Sequence, residues 1–450
     1  MFERFKLAGR FPGTELTLVR QSATSFGTRV VGLVFAFASS VILSRTLGVS
    51  GFGAYMIALA YASVASILVR LGLDHAALRF ASVYRDQGRS GALRSFFAVS
   101  LIAIAMAWFA FCGAAALFWL VGLSAARSVD PFLAMSAAAL TLALATMGYL
   151  SAILRTFERV FESQLYEQLL RPILLIAGLA LLVLSGVAVT PGRAMLLTAV
   201  GVGLPLLVML VRTRRLIGAL PSAPPDRSDR GAWLRVSLVV AAMAVLQELL
   251  NQVDLIFLGL LASNQDAALF AAAQRLSALA VFGLVAIAMV SAPRIAAAFH
   301  RGDLDEVAAV AKLSARLSFA SALALSAALA LVASFILPLW GPEFGAALPL
   351  LLVLLLGGLV NAATGSAGYL TILTGHERTA LLILVLTLAL TAAAEAMLIP
   401  RFGALGAAVG SALGITVWNL LMAVYVRRAM GVDCTVLGRA RLPVATRTTA

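Results

Sequence analysis

The chain contains two copies of one long pattern, separated by a constant offset of 215 positions. Residues 20–94 match residues 235–309, although the second copy is weaker. Identical pairs along the match include Arg20 and Arg235, Val30 and Val245, Leu43 and Leu258, and Arg79 and Arg294. A second match pairs residues 148–151 with 368–371, and residues 158–159 with 377–378. Two like-oriented copies in one chain predict a fold built from two related halves.

The apolar content places both halves in a membrane. Hydrophobic residues make up 62% of the chain and the mean hydropathy is +1.01, whereas soluble domains contain about 45–50% apolar residues. Gaps between apolar runs are short, so we expect no sizeable globular domain outside the bilayer. The basic N-terminus lacks a small-residue cleavage site before its first apolar run, and we therefore expect that run to be retained as a span.

Apolar windows of about 20 residues, the length that crosses a bilayer core, predict twelve spans. They are 22–44, 52–71, 96–121, 131–154, 169–187, 194–211, 236–258, 267–290, 315–338, 345–372, 380–399 and 404–426. The predicted fold is an all-α polytopic membrane protein whose twelve transmembrane helices form two six-helix lobes related by a pseudo-twofold axis. The predicted parts are an N-terminal lobe at 1–212, a cytoplasmic linker at 213–233, a C-terminal lobe at 234–428 and a basic cytoplasmic tail at 429–450.

The net charge of +14 is explained by membrane orientation rather than by a nucleic-acid partner. Of the 34 lysines and arginines, 28 lie at the N-terminus, in the even-numbered loops and the span ends beside them, or in the C-terminal tail. Four lie in the odd-numbered loops, and the other two, Arg29 and Arg275, lie within spans. Basic residues accumulate on the cytoplasmic side of a membrane. We therefore predict a multi-pass protein of the bacterial inner membrane with both termini in the cytoplasm, surrounded by membrane lipids.

Two of the predicted inside segments mix apolar and charged residues. Residues 74–94 and 294–312 occupy equivalent places in the two repeats. Asp303 precedes Glu306 by three residues, which is typical of a helix N-cap. We expect both segments to form amphipathic helices along the inner membrane surface.

Polar side chains inside the spans mark the candidate substrate pathway. Ionisable groups within a bilayer are costly unless they face a cavity or a partner. On the seventh span one arc carries Gln247, Glu248, Asn251, Gln252 and Asp254, the first span adds Arg29, and the eighth span adds Gln274 and Arg275. We expect these eight to line a hydrated cleft, the alternative being that they hydrogen-bond one helix to another. Glu395 lies near the outer end of its span, and we expect it to be interfacial.

The sequence lacks the residues that several classes of chemistry require. The sequence has no GxxxxGK[ST] phosphate loop, and His75, His300 and His376 stand alone in separate loops. Cys112 and Cys434 suggest neither a disulfide framework nor a metal site. We therefore expect a protein that is not an enzyme, is not an ATP-driven motor and has no bound cofactor.

Two sequence segments resemble one family of exporters. Residues 41–55, VILSRTLGVSGFGAY, look like the join between the first two helices of polysaccharide and O-antigen flippases. Residues 398–408, LIPRFGALGAA, resemble a late join of the same group. This group belongs to the multidrug/oligosaccharidyl-lipid/polysaccharide exporter superfamily. The resemblance implies two six-helix lobes, alternating access and a lipid-linked oligosaccharide or polysaccharide precursor as cargo.

The expected cargo is a polyprenyl-diphosphate-linked glycan of cell-envelope biosynthesis, such as a lipopolysaccharide or exopolysaccharide precursor. In this hypothesis Arg29 and Arg275 pair with phosphate, while Asn251 and Gln252 bond sugar hydroxyls. The membrane potential, a proton or Na⁺ would drive transport, the ions acting through Glu248 or Asp254. A glycan polymerase or other export machinery would be the protein partner.

Three alternatives remain open from the sequence. A facilitator for small solutes also has two six-helix halves, and Asp86-Gln87-Gly88-Arg89 hints at its loop signature. A drug/cation antiporter of the same superfamily is the second alternative, although the first span lacks the carboxylate that such antiporters often carry. A membrane glycan polymerase or ligase, the enzyme alternative, is disfavoured because no long outside loop is present.

Overall fold

The computed structural model describes residues 12–120, 130–226, 228–365, 367–373 and 376–438. Every regular element in these residues is helical, which confirms the predicted all-α class. The arginines of residues 439–450, which belong to the predicted basic tail, lie outside the described residues, as do Arg4, Lys6 and Arg10 of the N-terminus.

Within its described residues, the first half of the chain forms seven α-helices and one π-helix. They are α1 (Pro12–Arg70), α2 (Leu73–Asp86), α3 (Ser90–Leu120), α4 (Pro131–Thr156), α5 (Val160–Gln164), a π-helical turn (Leu165–Leu170), α6 (Arg171–Leu184) and α7 (Pro191–Gly218). Pro172 explains the π-helical turn, because a proline at this position has no N–H to donate to the carbonyl of Gln168. That carbonyl is closely approached by Gly32, where a Cβ atom would lie 2.8 Å from it.

The part of the second half that the structure describes forms eight α-helices and two short 3₁₀-helices. They are α8 (Arg230–Leu261), α9 (Asn264–Ala280), α10 (Phe282–His300), α11 (Leu304–Ile336), the 3₁₀ turns Leu337–Leu339 and Pro342–Ala347, α12 (Leu348–Thr364), α13 (Ala367–Leu373), α14 (Glu377–Phe402) and α15 (Ala404–Met430).

The described residues contain eleven helical stretches long and apolar enough to cross a membrane. The first of them holds two of the predicted spans, which meet at Gly48, where the backbone leaves helical geometry at φ 68°. Counting that stretch as two gives twelve, which is the predicted number of spans. The prediction of one continuous helix over 267–290 is wrong, because α9 ends at Ala280 and α10 begins at Phe282.

The two predicted surface segments have different structures. In the first repeat α2 is a separate helix, with Ala76, Ala77 and Tyr84 buried against its neighbours. In the second repeat no separate helix forms: α10 ends at His300, Gly302 turns the chain, and α11 continues for 33 residues. Asp303 caps α11 as predicted, since its side chain accepts from the Glu306 N–H at 2.9 Å.

The chain packs as two compact units, one formed by residues 1–46 and 61–245 and the other by residues 47–60 and 246–450. We call them the N-terminal and C-terminal units. The N-terminal unit packs α4 against α2 and α7, and it buries an aromatic cluster of Tyr84, Phe96, Tyr149 and Trp233.

The C-terminal unit is organised around α15, which packs against α12 and α14. Small residues permit these close approaches: a Cβ on Gly406 would lie 2.5 Å from the Leu398 carbonyl carbon, and one on Gly410 would lie 2.6 Å from Glu395 Cγ. The turn between α14 and α15 uses Gly403 at φ 54°, and the next backbone N–H, that of Ala404, donates to Asp266. These contacts bring the polar residues of α14 and α15 together, and Ser411 of α15 also approaches Asp254 of α8 at 3.4 Å.

Candidate functional site: a polar cavity in the C-terminal unit

A cavity of about 550 Å³ lies within the C-terminal unit. This volume is in the range typical of small-molecule sites. Five helices contribute to its wall: α8, α9, α12, α14 and α15. The polar lining side chains are Gln247, Asn251, Gln252, Asp254, Gln274, Arg275, Asn361, Thr391, Ser411, Trp418 and Asn419. Six of these carry a carboxamide, so the cavity can both donate and accept hydrogen bonds.

Six of the eight side chains predicted from the sequence lie on this cavity. The helical spacing of Gln247, Asn251 and Asp254 places them on one face of α8, as expected for positions three and four apart. Gln274 and Arg275 come from α9. The structure thus brings together residues of the seventh and eighth predicted spans, while their role in a substrate pathway stays a prediction.

The other two predicted residues do not line the cavity. Glu248 lies beside it and accepts a hydrogen bond from Gln252 Nε2 at 2.9 Å, so it orients a lining side chain. Arg29 belongs to the N-terminal unit, where it is half-buried and its Nε has no hydrogen-bond partner among the described residues.

Arg275 supplies a positive charge to the wall. It is half-buried, and its Nη2 lies 3.5 Å from the Sδ of Met56 in the same unit. A guanidinium offers five N–H donors in a planar arrangement that suits phosphate or carboxylate groups. The cavity can therefore hold an anionic group beside its neutral amides.

Two acidic side chains meet beside the cavity, and one of them, Asp254, lines it. Asp254 of α8 and Glu395 of α14 are 3% and 0% exposed, and their carboxyl groups lie within hydrogen-bonding reach of each other. Ser411 also approaches Asp254, at 3.4 Å. Asp254 Oδ1 and both oxygens of Glu395 receive no hydrogen bond from a donor among the described residues.

The position of Glu395 corrects the sequence expectation of an interfacial residue. It is fully buried, because α15 carries Gly410 at the point where Glu395 packs. Two facing carboxylates repel each other strongly when both are buried. A proton or a small cation between them removes that repulsion, so this pair is a chemically reasonable place for cation exchange.

The wall formed by α15 was not foreseen from the sequence. Ser411, Gly414 and Trp418 are spaced three and four apart and share one face of that helix. Asn419 is fixed by two hydrogen bonds, accepting from the Thr364 hydroxyl at 2.9 Å and donating to the Ile415 carbonyl at 2.8 Å. The half-buried Trp418 adds an apolar ring to a polar wall.

Sequence spacing held one further signal for this site. Thr387, Thr391 and Glu395 are spaced four apart on α14, so they share a face of a helix whose central turns are otherwise apolar. Three polar residues on one face of such a helix indicate a buried polar contact. The helix against which this face packs is set by long-range contacts, and these cannot be predicted from a single sequence.

The family comparison matches the larger part of the chain. A sequence model of the family described as polysaccharide biosynthesis protein matches residues 18–299. A comparison with curated protein sequences finds no match.

Several solved structures share this fold over most of the length of the chain. An inward-facing multidrug-resistance MATE family transporter of the MOP superfamily matches with a TM-score of 0.71 and 15% identity, over 88% of this chain and 94% of that one. The lipid II flippase MurJ, in an inward closed conformation, matches with a TM-score of 0.70 and 13% identity, over 91% and 87%. A variant of the Vibrio cholerae MATE transporter VcmN gives 0.65 and 14%, over 92% and 97%. At these identities the likeness establishes the fold.

Proposed function

This chain belongs to the polysaccharide biosynthesis protein family, and we propose that it is a flippase for a lipid-linked oligosaccharide or polysaccharide precursor. The cargo would be a polyprenyl-diphosphate-linked glycan, moved by alternating access across the bacterial inner membrane. The observation that carries the proposal is the amide-rich cavity with one guanidinium inside a membrane-embedded helical unit. The fold shared with the lipid II flippase MurJ supports it.

The cavity supplies hydrogen-bond partners that replace the water molecules that a sugar headgroup loses when it enters the membrane. Sugar hydroxyls cannot cross hydrocarbon unaided, because each unpaired hydrogen-bonding group costs several kcal/mol. The carboxamides of Asn251, Gln252 and Asn361 replace water as donors and acceptors. Arg275 pairs with an anionic group of the cargo, and the ring of Trp418 covers an apolar sugar face.

Transport would draw on the membrane potential and on cation exchange. An inside-negative potential favours outward transfer of an anion by about 2.3 kcal/mol per charge per 100 mV. The Asp254–Glu395 pair offers a second way to drive transport, because a proton or Na⁺ can bind to the pair in one conformational state and leave it in another. This assigns coupling to Asp254 with Glu395 as its partner, and it assigns Glu248 to orientation of Gln252.

The proposal is tested by following the lipid-linked glycan in a strain that lacks the gene. Loss of the protein should cause glycan-loaded polyprenyl lipid to accumulate on the cytoplasmic side, and the wild-type chain should clear it. Arg275→Ala should fail to clear it, whereas Arg316→Ala, on the exposed surface of the same unit, should succeed. Normal glycan export by both variants would contradict the role of Arg275, and normal clearance in the deletion strain would contradict the function itself.

A drug/cation antiporter is the second candidate function, and the buried acid pair is the observation that favours it. The solved MATE structures share the fold, and cation exchange through a carboxyl pair needs no glycan. The Glu395→Gln variant distinguishes the two functions, and Glu343→Gln, which changes an exposed residue, is its control. A flippase should show loss of glycan clearance with Glu395→Gln, whereas an antiporter should show loss of drug resistance with unchanged glycan export.

A further inference from the structure

A second cavity, of about 560 Å³, belongs to the N-terminal unit, whereas the site described above belongs to the C-terminal unit. The end of α7 provides its basic side with Arg212 and Arg215. The side chains of Leu207, Val208 and Val211, on the preceding turns of the same helix, form an apolar wall. These three are 60%, 52% and 50% exposed, so the wall faces outward rather than into the protein core.

The opposite wall comes from the segment that joins α4 to α6. Glu162 of α5 and Tyr166 of the π-helical turn line the cavity there. Because a π-helical turn is wider than an α-helical one, it spreads the backbone at this point. The π-helical turn that precedes Pro172 thus contributes part of the cavity wall.

The depth of this cavity in the membrane follows from the length of α7. Arg193 begins the helix on one side and Arg212 follows it 19 residues later, a rise of about 28 Å at 1.5 Å per residue. A bilayer hydrocarbon core is about 30 Å thick. Arg212 and Arg215 therefore lie at the level of lipid headgroups, and the apolar wall lies at the level of the acyl chains just above them.

The charges of the cavity leave a surplus of positive charge. Glu162 is shared by Arg212, at 3.3 Å, and by Arg159, at 3.1 Å, so its charge is already compensated. Arg215 is exposed in the cavity and forms no ion pair with any residue that the structure describes. A headgroup-level site with surplus arginine beside an apolar wall suits an amphiphile whose polar end is anionic.

We propose that this cavity binds an anionic phospholipid of the leaflet next to the α7 C-terminus. The lipid phosphate pairs with Arg215 and with the outer N–H groups of Arg212, while an acyl chain lies along Leu207, Val208 and Val211. The positive-inside distribution predicts that this leaflet is the cytoplasmic one. The site would anchor the N-terminal unit to its lipid annulus independently of any transported cargo.

The test is native mass spectrometry of the full-length protein titrated with phosphatidylglycerol, phosphatidylcholine or inorganic phosphate. The wild-type chain should retain phosphatidylglycerol at least tenfold more tightly than phosphatidylcholine. Arg215→Ala should reduce that preference about tenfold, and Arg215→Lys should keep part of it. Arg214→Ala is the matched control, because Arg214 is a neighbouring exposed arginine that does not line the cavity.

Three outcomes would overturn the proposal. Equal retention of the two lipids would show that the site does not select anionic lipids. An equal loss of lipid preference in the Arg214→Ala and Arg215→Ala proteins would show that the preference comes from general surface charge. Displacement of phosphatidylglycerol by an equal concentration of inorganic phosphate would make this a site for a soluble anion. Arg212 is left unchanged because its ion pair with Glu162 contributes to local folding.

Discussion

The ring of Trp418 gives the cavity of the C-terminal unit an apolar surface between polar groups. Gly368 leaves room beside it, since a Cβ there would lie 3.9 Å from the indole Cζ2. Aromatic rings contribute about 0.5–1.5 kcal/mol beyond their buried area when they pack against a complementary surface. A pyranose ring offers such a surface through its axial C–H groups.

Replacing Trp418 by Leu should therefore weaken glycan binding by about three- to tenfold while leaving the fold intact. Trp418→Tyr should retain most of the affinity, because it preserves an aromatic face. The measurement is binding of a polyprenyl-diphosphate disaccharide to the purified protein, compared with polyprenyl diphosphate alone. Trp119→Leu serves as the control, since Trp119 is half exposed on α3 in the other unit.

A sugar-specific loss is the informative result for Trp418. Equal weakening of both ligands would assign Trp418 to general packing instead. Failure of either ligand to bind the wild-type protein would contradict the proposed function rather than the role of this residue.

At the scale of elements, the chain that follows α7 is fastened to the N-terminal unit. Trp233 Nε1 donates to the Tyr84 hydroxyl at 2.7 Å, and that hydroxyl donates to Asp229 at 2.8 Å. Arg89 forms ion pairs with Asp226 and Asp229, and its guanidinium lies 5.0 Å from the centre of the Tyr84 ring. The segment predicted to be a linker is thus held by specific contacts in this unit.

Removing the Tyr84 hydroxyl should destabilise this arrangement. Tyr84 and Trp233 are 2% and 4% exposed, so Tyr84→Phe leaves the indole N–H buried without its acceptor. Such a loss costs about 1–3 kcal/mol. The expected result is a lower midpoint of thermal unfolding in detergent, while Tyr61→Phe, which removes the hydroxyl of a residue that is 43% exposed in the same unit, should have little effect. An unchanged midpoint for Tyr84→Phe would show that the hydrogen-bonded chain adds no stability.

The Arg89–Asp226 pair should make part of the stability depend on pH. The backbone N–H of Ser228, the Arg89 guanidinium and the Ser228 hydroxyl hold the pKa of Asp226 well below its usual range. A depressed pKa in the folded state stabilises the protein above the unfolded value, near 4, and this contribution is lost as pH falls below it. Solvent screening limits its size, because the side chain is 36% exposed.

The difference in unfolding midpoint between wild type and Asp226→Asn should therefore be constant from about pH 8 to pH 5 and should shrink below about pH 4. Asp86→Asn, which changes a largely exposed carboxylate on α2, should show a much smaller difference over the same range. A difference that grows as the pH falls would contradict the ion pair.

At the scale of the whole molecule, the parts predicted from sequence are those that depend on local pattern. The lengths of the apolar runs predicted the helices. The repeat predicted that the two halves are interrupted at equivalent positions, and the helix breaks at Gly48 and at Ser263, which caps α9, are indeed 215 positions apart. The Asp254–Glu395 contact could not be predicted, because it joins helices 141 positions apart and one sequence contains no record of which helices meet. The break between α9 and α10 was missed for another reason: no proline or glycine cluster marks Val281.

Membrane orientation is the remaining whole-molecule prediction, and α7 offers a direct test of it. Arg193 and Arg214 are both exposed and lie near opposite ends of this one helix, about 31 Å apart by its rise. In a background of Cys112→Ser and Cys434→Ala, we expect Arg193→Cys to react with an impermeant maleimide in intact spheroplasts. Arg214→Cys should react only after permeabilisation, because the excess of basic residues on its side predicts a cytoplasmic location. The reverse pattern would invert the topology and would place the lipid site of Arg215 in the outer leaflet, whereas labelling of both positions in intact cells would show that α7 does not cross the membrane.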